Sequence, residues 1–74
     1  MRRIESFPTE IPRSFEQTLT EGRVIIPSSS PRKLRRTLYR YRDALVAADS
    51  PLALRYANIS MLVEDDKLIL ENRK

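Results

Sequence analysis

The chain has no cysteine, no histidine and no tryptophan, and only one glycine in 74 residues. Without cysteine there are no disulfide staples, no thiolate nucleophile and no zinc site that needs sulfur. Without histidine the commonest acid–base group and the commonest nitrogen ligand for metals are missing. One glycine excludes a glycine-rich phosphate loop. No apolar run approaches the ~18 residues that read as a membrane span. The longest clusters are Val24-Ile25-Ile26, Met61-Leu62-Val63 and Leu68-Ile69-Leu70. The start, Met1-Arg2-Arg3-Ile4-Glu5, carries charge with no apolar stretch behind it, unlike a secretory signal. These absences lead us to expect a cytoplasmic protein that is no enzyme, with no cofactor, no metal and no membrane contact.

A chain this short makes one small domain, whose stability amounts to a few kcal/mol and whose core leaves little room for a deep catalytic cavity. A hydrophobic fraction of 41% argues against wholesale disorder. Charge is what the chain has in quantity. Fourteen Lys and Arg stand against ten Asp and Glu, giving +4. A basic balance favours nucleic acid, an acidic protein surface or anionic lipid as partner.

Residues 1–11 read as an extended arm, because Pro8 and Pro12 bias their predecessors toward extended backbone. A single small domain is expected over 12–74. Pro12-Arg13-Ser14 opens a short helix with Phe15 and Leu19 on one face, and Gly22 can take a left-handed stop. Arg23-Val24-Ile25-Ile26 is rich in β-branched residues and reads as a strand that Pro27 ends. Ser30 before Pro31 is a helix start, with the hydroxyl expected to accept an orphan amide. Leu34, Leu38, Tyr41, Leu45 and Ala48 step by four, three, four and three, so residues 31–48 form a helix with one apolar stripe. Ser50-Pro51 repeats the start signal for a second helix over 51–58, with Leu52 and Tyr56 on one side. The runs 59–63 and 67–70 are joined through Glu64-Asp65-Asp66 as a hairpin. Asp-Asp forms tight turns less well than Asp-Gly, so the loop is expected to exceed two residues.

The fold class is therefore α+β: two or three helices with a C-terminal β-hairpin, or a small three-stranded sheet if the 23–26 strand joins it. The order helix, strand, two helices, hairpin resembles a winged helix over residues 12–72. That resemblance implies a groove-reading helix at 51–58. There, however, Arg55 is the only charged residue, so ordinary major-groove reading is not expected.

The candidate functional residues are mostly on the long helix. Between Arg32 and Arg42 lie six Lys/Arg residues and no acid. The helix dipole disfavours Arg32 and Lys33 in the first turn, whereas an incoming phosphate or carboxylate would be welcome there beside Ser28, Ser29 and Ser30. Arginine suits bidentate contact with such groups. A plain solvated helix back is the competing reading. Tyr39 lies off the apolar stripe among arginines. It can stack on a base, fill a partner's pocket, or pack on its own arm or hairpin. On the arm, Arg2 and Arg3 can reach a charged groove. Glu64-Asp65-Asp66 lacks the spacing of a calcium loop and reads as a solvated turn. The binding set is then Arg2, Arg3, Arg32, Lys33, Arg35, Arg36, Tyr39 and Arg40.

In length, and in the basic residues Arg2, Arg3 and those between Arg32 and Arg42, the chain resembles the very small regulators that bacteriophages encode to bind host RNA polymerase, one of them from a Xanthomonas phage. The resemblance implies a monomeric transcription regulator in the host cytoplasm. It would dock on RNA polymerase, inhibit initiation or promote antitermination, and sit close to RNA or DNA. Two other expectations stand beside it: a winged-helix-like domain that binds DNA or RNA directly, and a small virion assembly protein.

Overall fold

The computed structural model describes residues 7–73. Along the chain run α1 (Glu10–Glu21), β1 (Arg23–Pro27), α2 (Pro31–Ala47), α3 (Leu52–Arg55), β2 (Ile59–Glu64) and β3 (Lys67–Asn72). The strands form one antiparallel sheet in the order β1-β3-β2. The α+β class and the three-stranded sheet are thus as expected, as is the order helix, strand, two helices, hairpin.

α1 begins at Glu10, inside the expected arm. Pro12 falls in its first turn, where a missing N–H costs nothing. The added start brings Ile11 into the core beside the expected Phe15, and Gly22 closes the helix at φ 83° with its nitrogen donating to the Thr18 oxygen at 2.7 Å. α2 ends within a residue of the expected stop. Ser30 stands at its N-cap position but makes no side-chain cap bond. Instead the Ser30 N–H donates to Ser28 Oγ at 3.0 Å.

Two further elements differ from the sequence reading. α3 is a single turn of four residues rather than a helix over 51–58. Leu52 and Tyr56 do not share a fate: Tyr56 is buried, while Leu52 is at the surface. The hairpin turn has only two residues, Asp65 and Asp66, between the paired Glu64 and Lys67. Asp65 makes this possible by taking φ 53°, a conformation asparagine and aspartate tolerate better than most side chains.

Leu38, Tyr41 and Leu45 of α2 meet Phe15 of α1, Tyr56, and the inner sheet residues Met61, Leu68 and Leu70 in one core. Phe15 stacks on Tyr56 with ring centroids 4.7 Å apart. The outer sheet face carries a row that follows from the register, Ile25 beside Ile69 beside Leu62. Ala48, expected on the apolar stripe, is exposed beyond the end of α2.

Candidate nucleic-acid interface

α2 carries its apolar stripe inward and therefore its cations outward. Arg32, Lys33, Arg36 and Arg40 are exposed and Arg35 is half-buried. Arg32, Arg36 and Arg40 are successive i,i+4 neighbours, about 6 Å apart along the axis. The ion pairs among the described residues are Arg55–Glu16 and Lys67–Glu64. None of the five α2 cations is neutralised by a carboxylate among those residues. Like charges at i,i+4 and cations in a first turn each cost a few tenths of a kcal/mol, so the row is held against local preference. Arg2 and Arg3 lie outside the described residues.

The acidic hairpin tip is closer to the row than the sequence indicates. A shallow cleft is lined by Ser29, Ser30, Pro31, Arg32, Lys33, Val63 and Asp65. Asp65 therefore lines the same cleft as the first turn of α2, and its negative charge opposes an anion there. Arg35, Arg36 and Arg40 lie further along the helix from this cleft.

Tyr39 lies outside the buried core cluster. It remains 40% exposed, with the Arg42 guanidinium 5.3 Å from its ring centroid. Arg42 is fixed in turn by the tertiary structure: its Nη1 donates to the carbonyl oxygens of Tyr56 at 3.1 Å and Ile59 at 2.9 Å. It ties α2 to the segment between α3 and β2. This role was not legible in the sequence, where Arg42 is one more cation on the helix flank.

A second cluster was also missed. Glu16 on α1 accepts from Arg55 Nε at 3.1 Å and Nη2 at 3.0 Å, and from the Tyr56 hydroxyl. These donors hold the Glu16 carboxyl below its ordinary value, Arg55 first and Tyr56 second. Burial, then the bond to Glu16, push the Tyr56 phenol well above its own. The cluster clamps α1 to α3 and occupies the single cation of α3.

Beside the paired, half-exposed Arg55, what α3 offers to solvent is apolar. Leu54 is 83% exposed, and with Val46, Pro51, Ala53 and Ala57 it lines a shallow cleft rimmed by Asp49 and Ser50. The element expected to read a groove is thus one turn long, with leucine on its surface and its arginine engaged internally. None of the described helices is long and apolar enough to cross a membrane.

Comparison with protein family models, with curated proteins and with solved structures returned no match.

Proposed function

We propose that the chain is a non-enzymatic regulator of transcription, of the type bacteriophages encode, that docks on host RNA polymerase and turns the α2 row toward nucleic acid. The observation that carries this reading is the row itself. Five cations, Arg32, Lys33, Arg35, Arg36 and Arg40, share one helix with no carboxylate partner among the described residues. Length and charge support the phage-regulator part of the reading. The exposed Leu54 cleft supports a protein contact, because an apolar surface rimmed by polar groups suits docking better than phosphate.

On this reading the folded body grips polymerase while the α2 arginines line the path of nucleic acid. A basic lining that holds single strands would disfavour terminator hairpins, and occupancy of a polymerase surface would hinder initiation. Direct DNA or RNA binding by a winged-helix-like domain is the second reading, and the β1-β3-β2 sheet with its element order favours it.

A pull-down from bacterial lysate separates the two. The regulator reading expects polymerase subunits to be retained after nuclease treatment. It further expects that changing Arg32, Arg36 and Arg40 together to alanine preserves this protein contact while abolishing effects on termination in vitro. Recovery of nucleic acid with no protein partner supports the second reading and overturns the first.

A further inference from the structure

We infer that Tyr39 is a stacking platform for an unpaired base, so that the ligand of the α2 row is single-stranded nucleic acid. The inference rests on the reading that this row faces nucleic acid, and it names the strand form that row selects.

An exposed tyrosine on a helix is common, and exposure alone would carry nothing. What sets Tyr39 apart is that its ring is braced. The Arg42 guanidinium lies over it at 5.3 Å, and Arg42 is pinned by two backbone carbonyls, those of Tyr56 and Ile59, from outside the helix. A guanidinium held by two hydrogen bonds does not swing away, so the ring has a fixed neighbour and keeps its orientation. Tyrosine has only two side-chain torsions to order, which makes it a cheap contact surface once braced. At 40% exposure, part of the ring stays open to solvent.

The surroundings of the ring suit a nucleotide. Arg36 and Arg35 precede Tyr39 by three and four positions, so they neighbour it on the helix surface. Arg32 lies one turn further along the same side. Arg40 follows directly. From Arg32 to Arg40 the row spans about 12 Å, enough to track the backbone of a strand whose base rests on the ring. Asp43 is the one acid on α2. It is exposed on the next turn and bounds the platform on that side.

Duplex DNA fits the same surface poorly. Its bases are stacked and present no free face to Tyr39. α3, at four residues, extends about 6 Å and cannot lie along a major groove. The hairpin tip, where a winged helix meets the backbone, is Asp65-Asp66 next to Glu64 and repels phosphate. A single strand avoids all three obstacles, because it needs only a stacking face and a short run of cations.

The full chain supplies its own probe. With three tyrosines and no tryptophan its emission is tyrosine emission, and Tyr41 and Tyr56 are 3% and 2% exposed. We would titrate it at low salt with an oligouridylate of about 12 nucleotides, a length within the range single-strand modules cover, and with a DNA duplex of equal charge. The expected result is tighter binding of the single strand with quenched emission. Tyr39→Leu, which keeps a good helix former at an exposed site, is expected to lose the quenching. It should also weaken single-strand binding about 5- to 150-fold while leaving duplex binding unchanged. Tyr39→Phe is expected to retain the affinity and lose the emission change. Unaltered single-strand affinity in Tyr39→Leu, or a preference of the wild-type chain for duplex, overturns the platform. The basic-row reading survives that result if changing Arg32, Arg36 and Arg40 to alanine still abolishes binding. No binding of either oligonucleotide overturns both.

Discussion

Arg55 grips Glu16 through two parallel bonds, Nη2 to Oε1 at 3.0 Å and Nε to Oε2 at 3.1 Å, across 39 positions of sequence. The pair engages the one charged side chain of α3 with a carboxylate of the same fold, and it draws the Tyr56 hydroxyl into that carboxylate. The element at which a winged helix would read DNA is thereby committed to holding the fold together.

Glu16→Ala is expected to lower stability by about 1–2 kcal/mol. Most of this comes from the Tyr56 hydroxyl losing its acceptor. The ion pair itself is roughly half exposed and contributes little. For a domain of this size each kcal/mol moves the midpoint of thermal unfolding by about 4–8 °C. Glu16→Gln, whose amide oxygen can still accept from Tyr56, is expected to cost less. Equal midpoints for wild type and Glu16→Ala would show the clamp to be energetically idle.

The same cluster sets an expected pH profile. Glu16 titrates below its ordinary 4.5 in the fold, because Arg55 and then Tyr56 donate to its ionised form. Its contribution is present above pH 4.5 and is lost as pH falls through the depressed value. Tyr56 and Tyr41 have phenols raised above 10.0, chiefly by burial. Their contribution is complete below pH 10 and declines as pH rises beyond it, since the unfolded chain ionises first. Denaturant midpoints measured across pH should fall at both ends. The acid-side fall should shrink in Glu16→Gln.

Arginines on one helix are expected to behave oppositely on mutation. Arg42→Ala leaves the Tyr56 and Ile59 carbonyls without their charged donor and should cost about 1.5–3 kcal/mol. Changing Arg32, Arg36 and Arg40 to alanine removes like-charge neighbours and a first-turn cation, so stability should hold or rise slightly. Chemical denaturation of the two variants checks this. Loss of stability in the triple variant would mean that the row has internal partners.

The sheet register makes a further pair of expectations. Leu68 points inward and is fully buried, whereas Leu62 lies in the outer row and is 56% exposed. Leu68→Ala should cost about 2–5 kcal/mol. Leu62→Ala, with little burial to lose, should stay within about 1 kcal/mol. Similar costs at the two sites would contradict the register, because a slip of one residue would exchange their faces.

Much of this protein was written in local chemistry. Steps of three and four between Leu34, Leu38, Tyr41 and Leu45 determined both the length of α2 and the side on which its arginines emerge. Ser30-Pro31 and Gly22 marked helix ends because their effects act within a turn. The run Val24-Ile25-Ile26 announced a strand. The missing histidine and cysteine removed their side-chain chemistry from the chain before any contact was known. Tertiary structure decided the rest. It cut α3 to one turn, because burying Tyr56 against Phe15 and Glu16 bends the chain away from a second turn toward β2. It placed β3 between β1 and β2, and it set Asp65 beside the start of α2. It also separated Arg42 from the arginines around it. The cause is range: helix caps and periodicity act over three or four residues, while Arg42 finds its carbonyls 14 and 17 positions away and Glu16 its donors 39 and 40 away.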